Sequence, residues 1–274
     1  MEFFQQFKIY EIIIALYGLS LIFYFYDFVQ RDRKANQMAF WFLLLVWILQ
    51  TIFLFVKIYI DGALPIFILV EGLYFYAWLI LLVSIVINYF FQMDFVVFIM
   101  NVVGFLVMVL FLLTHTTGQS NVDSVLVSEI LLTHIILAFI AYTLYTLSFA
   151  FSLLYLLQFY LLKKKKWQQL VRRIGSLGLL ERISFLLITF ATPLLLISLV
   201  FGILWAYTSS DLFYWIDLKT IGSFFVILVY SVILYIKVRN HFTGKNIAIL
   251  NMVAFLVLFI NYLILSMWSN FHGI

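Results

Sequence analysis

Long apolar runs separated by short polar breaks dominate the pattern along this chain. A helix of about 20 apolar residues crosses a hydrocarbon layer of roughly 30 Å, and each run is long enough to do so. Membrane β-strands are excluded, because they would alternate apolar and polar residues over much shorter stretches. The pattern predicts eight membrane-spanning helices, at about residues 9–28, 38–59, 65–90, 95–113, 126–161, 183–208, 219–238 and 247–268.

Composition supports the same class of protein. Of the 274 residues, 66% are apolar and only 10% are charged, which excludes an ordinary soluble domain. The first residues, MEFFQQFKIYEIII, lack the basic region and cleavage site of a signal peptide, so we expect the first run to remain as a true span. Pro65 is predicted to open the third span, and Pro193 to kink the sixth and offer a hinge.

The basic residues predict the orientation of the bundle. Alternate loops place Lys8, Lys57 and Lys219 on one side and the other thirteen of the sixteen Lys and Arg residues on the opposite side. Because Lys and Arg are retained in the cytoplasm, both termini are expected outside. The net charge of +4 then indicates contact with anionic membrane lipid, not binding of nucleic acid. With no internal repeat detected, residues 1–274 are interpreted as a single all-α membrane domain.

Histidine is the remaining residue type for metal chemistry. The absence of cysteine excludes disulfides, iron–sulfur clusters and covalent haem attachment. His134 falls about 8 Å along the helix from Glu129, a candidate interface residue. His134 begins a stripe of small and polar residues at helical spacing that includes Ala141, Tyr145 and Ser148, and this stripe is expected to face the bundle interior. The alternative is an interfacial histidine hydrogen-bonded to neighbouring backbone.

Other polar residues are predicted at the same outer face. His272 follows the last span, and the loop AYTSSDLFYWIDLK holds Trp215, Asp217 and Lys219. Each has an ordinary alternative: a solvated terminal histidine, an aromatic belt residue and a surface ion pair. Glu71, near the outer end of the third span, is expected to hydrogen-bond a helix end or to pair with Lys57 or Lys219. The ordinary alternative is that such a pair is a purely structural bridge.

Two outer histidines in an aromatic-rich setting favour non-covalent haem b, with His134 and His272 as axial ligands of the iron. Lys219 could pair with a haem propionate, and Trp215, Asp217 and Glu71 are the other candidate residues for binding the cofactor. Two histidines without a carboxylate cluster make a poor zinc site, and no nucleophile with its base is recognised, so an enzyme is the least expected class.

Several segments together resemble the cytochrome c assembly protein family, the membrane haem-handling proteins of the CcsA, ResC and CcmC type. They are LLTHIILAFIAYTLYTLSFAFSLLYLLQ, RRIGSLGLLERISF, GILWAYTSSDLFYWIDLK and VILYIKVR, with LPIFILVEGLYFYAW before them and FHGI at the end. The resemblance covers about residues 65–274. It implies that two outer histidines, matched here by His134 and His272, flank a loop that presents haem at the external face.

The loop differs from the family pattern. Where haem exporters carry several tryptophans around W-x-W-D-P-K-E, this chain keeps Trp215, Asp217 and Lys219 and lacks the proline and glutamate. Lys237 stands where the resemblance would place a further histidine.

A short chain with a reduced tryptophan loop is most similar to the HemX-type branch of Gram-positive bacteria, located in the cytoplasmic membrane. The resemblance implies a role in haem biosynthesis through the abundance of glutamyl-tRNA reductase, a cytosolic partner. Two alternatives stay open: movement or presentation of haem for cytochrome c biogenesis, and a haem-free membrane anchor for a biosynthetic complex.

Overall fold

Eight helices that are long and apolar enough to cross a membrane make up the part of the chain that the structure describes. This computed structural model describes residues 9–62, 64–91, 93–115, 129–164, 173, 175–209, 218–239 and 244–265. The helices are α1 (Ile9–Gln30), α2 (Arg33–Asp61), α3 (Leu69–Phe91), α4 (Asp94–His115), α5 (Glu129–Lys163), α6 (Leu177–Ser209), α7 (Leu218–Val238) and α8 (Gly244–Ile260), the last continuing into one π-helical turn, Asn261–Leu265. The predicted all-α membrane fold is confirmed, with no strand among these residues.

Polar helix caps explain where the helices extend beyond the predicted spans. The α2 helix begins at Arg33, five residues early, because the Asp32 carboxylate accepts a hydrogen bond from the Lys34 backbone N–H at 2.9 Å. Likewise, α6 begins at Leu177 behind Ser176, whose hydroxyl accepts from the Leu179 N–H at 3.3 Å. Pro65 lies before α3 and does not open it, so the predicted start of that span was wrong by four residues.

Exposed apolar side chains cover the outward faces of the helices. Trp41 on α2 and Phe190 on α6 are each about two-thirds exposed, at 66% and 64%. In water such surfaces would drive aggregation, whereas in a bilayer they contact lipid chains. The exposed faces therefore fit the membrane environment that the sequence predicts.

The first compact unit, Met1–Gln119, contains α1 to α4. Here α1 packs on α2 and α4, and α3 packs on the same two helices. A buried polar chain joins three of them: the Tyr17 hydroxyl donates to Asn101 Oδ1 at 2.8 Å, and Asn101 Nδ2 donates to Ser84 Oγ at 2.9 Å. All three side chains are fully buried, so these bonds fix how the helices are rotated against one another.

The second compact unit, Ser120–Ile274, contains α5 to α8. Its most extensive contact is between α5 and α6, while α8 packs on α5 and α7, and α7 on α6. We call the end of this unit that holds the first turns of α5 the His134 end, and the end that holds Lys163, Arg182 and Lys245 the basic end. The expectations of one domain and of two external termini stay predictions.

Replacing Asn101 with leucine is expected to destabilise the first unit by about 1–3 kcal/mol, because it leaves the buried Tyr17 hydroxyl without its acceptor and removes the link to Ser84, whose hydroxyl keeps its bond to the Leu81 carbonyl. Unfolding in mixed detergent micelles measures the change. Asn88→Leu is the matched control, since its amide contact with the Tyr24 hydroxyl is long, at 3.5 Å. Equal losses in the two variants would contradict this role for Asn101.

Candidate functional site

His134 is held by one residue of the neighbouring helix. Its ring nitrogen Nδ1 lies 2.6 Å from the backbone carbonyl oxygen of Ser198 on α6 and 3.1 Å from the Ser198 hydroxyl. In return, the Ser198 hydroxyl donates to the backbone carbonyl of His134 at 2.7 Å. The side chain of Ser198 is fully buried, and these three contacts tie the His134 end of α5 to α6.

The carbonyl contact determines which ring nitrogen carries the proton. A carbonyl oxygen can only accept a hydrogen bond, so Nδ1 must be the N–H donor. In the neutral ring Nε2 then keeps its lone pair, and no hydrogen bond to it occurs among the described residues. Metal-binding histidines in proteins are usually arranged this way, with one nitrogen donating to a carbonyl and the other ligating.

This geometry bears on both interpretations of His134. The hydrogen bond to neighbouring backbone that the ordinary alternative requires is present. The same bond leaves Nε2 suited to bind a metal, so the two interpretations are compatible.

Lys219 lies at the same end of the second unit as His134. It stands in the first turn of α7, where its backbone carbonyl accepts a hydrogen bond from the Ser223 hydroxyl at 2.9 Å. Its ammonium group is close enough to interact electrostatically with the His134 ring. The structure therefore places at one end of the second unit two of the residues that the sequence singles out.

The end of α8 also reaches the His134 end. Tyr262, in the final π-helical turn, packs against Phe139 and Tyr142 of α5, with ring centroids 6.1 and 5.6 Å apart. In the same turn, Asn261 Nδ2 donates to the Ser223 hydroxyl of α7 at 3.3 Å. These aromatic and amide contacts were not anticipated from the sequence, which gives no signal for pairing between distant helices.

Three predicted site residues cannot be placed. His272, Trp215 and Asp217 lie outside the described residues. Their roles stay predictions. Among the described residues no three His, Asp or Glu side chains come together as a metal site, so a group that needs several such protein ligands has no ready site there.

Glu71 belongs to the first unit, where it pairs with Lys57 of α2 across 2.7 Å. The pairing with Lys57 is one of the partners proposed for it, and it is confirmed. The two side chains are only about one-quarter and one-fifth exposed, at 25% and 18%. Aromatic rings of Tyr10, Tyr74 and Phe111 line the same small pocket, so the pair joins α2 to α3 in a mainly apolar setting.

The stripe on α5 faces the interior of the second unit, as predicted. Ala141, Tyr145 and Ser148 are all fully buried. Near the middle of α5, the amide of Asn251 on α8 lies 2.8 Å from the Ser148 hydroxyl and 3.1 Å from that of Ser184 on α6. Small side chains thus let three helices approach closely and share one polar cluster.

An ion pair occupies the basic end. Lys237 of α7 donates to Glu181 of α6, and both side chains are about three-quarters buried, at 24% and 23% exposure. Gly244, the first residue of α8, faces Glu181 and the Tyr155 hydroxyl so closely that a Cβ there would lie 2.5 Å from each oxygen. Lys237, noted above as a departure from the family pattern, is therefore the partner of a carboxylate.

Lys237→Met is expected to lower the free energy of unfolding of the protein by about 1–3 kcal/mol, because it leaves Glu181 without its cation in a largely buried position. Adding Glu181→Gln should restore part of the loss, since the unpaired charge is then removed. Unfolding in mixed micelles checks both variants, with Lys245→Met as a lysine control at the same end. Strictly additive losses would contradict a direct coupling.

Comparison with known proteins gives one family and close relatives. The model of the family described as cytochrome C assembly protein matches residues 66–272. Protein HemX of Bacillus subtilis (strain 168) is 44% identical over 260 residues, which cover 94% of this chain and 94% of the relative. Protein HemX of Brevibacillus brevis is 39% identical over 264 residues, covering 96% of this chain and 97% of the relative.

Proposed function

This chain belongs to the cytochrome c assembly protein family, and on that premise we propose that it is a haem-binding membrane protein that regulates haem biosynthesis. In this proposal haem b is bound non-covalently at the His134 end, and the bound state changes the abundance of cytosolic glutamyl-tRNA reductase. The observation that carries the proposal is the bond from His134 Nδ1 to the Ser198 carbonyl, which leaves Nε2 able to ligate iron.

The residues around His134 fit a haem group. Its iron needs only one or two ligands from protein, so the lack of a three-residue metal cluster among the described side chains is no obstacle. Lys219 supplies a positive charge at this end of the unit for a propionate. When bound, haem would supply an iron centre that His134 Nε2 could ligate.

The path of the chain supports His272 as a second ligand. The last described turn ends at Leu265 beside α7, and Tyr262 packs within eight residues of His134 on α5. His272 follows Leu265 by seven positions, and an extended chain spans at most about 3.6 Å per residue, or roughly 25 Å. The same reasoning favours a place at the haem site for Trp215 and Asp217, because their loop joins the end of α6 to the start of α7.

A signal from this site must reach the opposite membrane face to affect a cytosolic enzyme. The helices α5 and α6 run from the His134 end to the basic end, over 35 and 33 residues. Regulation then requires that haem bind two arrangements of these helices with different affinity, because a ligand with equal affinity for both shifts neither. The lysines and arginines at the basic end are the surface proposed to contact the partner.

Titration of the detergent-purified protein with haem tests the site. For the unaltered protein we expect a saturable Soret band typical of imidazole ligation. In both His134→Ala and His272→Ala the band should weaken or shift, and the affinity for haem should fall at least tenfold. His241→Ala, in the loop between α7 and α8, is the control and should bind like the unaltered protein. A broad band indifferent to all three substitutions would mean that haem only partitions into micelles, which favours the haem-free anchor.

Deletion of the gene tests the regulatory role. We expect the amount of glutamyl-tRNA reductase to change while mature c-type cytochromes persist, because the proposal places the protein upstream in haem synthesis. Immunoblotting of the reductase and haem staining of cytochromes measure the two outcomes. Unchanged reductase with lost cytochromes would reject regulation and favour haem presentation for cytochrome c biogenesis.

A further inference from the structure

The Ser198 carbonyl is accessible to the His134 ring because the residue one helical turn later, Gly202, has no side chain. In an α-helix the carbonyl of residue 198 accepts from the N–H of residue 202, and the side chain at 202 lies beside it. Residue 202 is glycine, and a Cβ built there would lie 2.8 Å from both Cε1 and Nδ1 of His134 and 3.2 Å from Nε2. Such distances are shorter than carbon and nitrogen atoms tolerate, so the ring occupies the space that any side chain at this position would need.

Two features of one turn of α6 thus act on the same imidazole. Gly202 admits the ring to the helix surface, and Ser198 gives it a carbonyl acceptor at 2.6 Å. The Ser198 hydroxyl adds a bond to the backbone of His134 itself, which holds the turn of α5 that carries the ring. Rotating the ring by 180° would place carbon against the carbonyl and lose the bond, so a single orientation is favoured.

We propose that Ser198 and Gly202 are positioning residues that fix His134 with its proton on Nδ1 and present Nε2 to a metal-bearing ligand. The ligand class rests on the proposed function, namely the iron of haem. The orientation of the ring does not, because the contacts that impose it are made by the protein alone. The two parts of the inference can therefore fail separately.

The tautomer is measured without haem. A variant in which His115, His241 and His272 are replaced by glutamine keeps His134 as its one histidine. With ¹⁵N-labelled histidine in lipid bilayers, NMR at neutral to alkaline pH distinguishes a protonated ring nitrogen from one with a lone pair. We expect the proton on Nδ1; a dominant Nε2–H form would overturn the inference whatever haem does.

Substitution at Gly202 tests the positioning. Gly202→Ala in the single-histidine background should shift the ring toward a mixture of the two tautomers, since the Cβ displaces it from the carbonyl. With His272 and the other histidines intact, the same substitution should weaken haem binding about 10- to 100-fold and alter the Soret spectrum. Gly178→Ala is the matched control on the same helix, because a Cβ there meets no atom within 4 Å.

Ser198→Ala separates the hydroxyl from the carbonyl. This variant keeps the backbone acceptor for Nδ1 and loses the bond to the His134 backbone, so the Nδ1–H form should persist and haem affinity should fall less than in Gly202→Ala. Because it adds no volume, Ser198→Ala is expected to fold even if Gly202→Ala should fail to fold. Loss of the Nδ1–H form in Ser198→Ala would overturn the assignment of the carbonyl as the orienting group.

The outcomes distinguish failure of the haem site from failure of the positioning role of Ser198 and Gly202. Failure of the unaltered protein to bind haem, with the Nδ1–H tautomer observed, rejects the proposed function and leaves the positioning of His134 in place. Haem binding by the unaltered protein that Gly202→Ala leaves unchanged, in affinity and in spectrum, rejects the positioning role. A shifted tautomer together with weaker haem binding in Gly202→Ala, and neither change in Gly178→Ala, supports both.

Discussion

Hydrocarbon offers no hydrogen-bond partners, so a polar group within a span is stabilised by bonding to another group of the protein, and such bonds determine much of how each unit is assembled. In the first unit Asn101 satisfies both Tyr17 and Ser84. In the second unit the amide of Asn251 donates to hydroxyl groups of α5 and α6. Apolar packing alone would tolerate many rotations of a helix about its axis, whereas these directional bonds favour one.

The same constraint gives His134 its special chemistry. An imidazole within a span has to pair one nitrogen, and Ser198 provides a carbonyl on the adjacent helix at 2.6 Å. Pairing Nδ1 leaves the lone pair on Nε2, so satisfying the structural demand also prepares a ligand. At the basic end the demand is met differently, because Lys237 and Glu181 neutralise each other. The imidazole thus keeps one nitrogen with a lone pair, whereas the ion pair is internally satisfied.

The sequence predicted the eight spans and the buried stripe on α5, because length and periodicity are local properties of a helix. It misjudged where α2 and α6 begin, since caps such as Asp32 and Ser176 lie in polar segments that hydropathy ignores. It singled out His134 and Lys219, yet gave no sign of Ser198 or Gly202. Their role depends on which face of α6 meets α5, a property of packing between residues 64 positions apart.

Contacts along α5 and α6 limit how a change at the His134 end can travel. Ser184 lies on the basic-end side of Pro193 in α6. Its hydroxyl is 2.9 Å from the hydroxyls of both Ser148 and Ser152 of α5, so these parts of the two helices are bound together. A hinge motion at Pro193 alone would move only the part of α6 nearer the His134 end and would leave the basic end in place. A signal that reaches the basic end must therefore move α5 and α6 as one body against α7, where the pair between Glu181 and Lys237 would respond first.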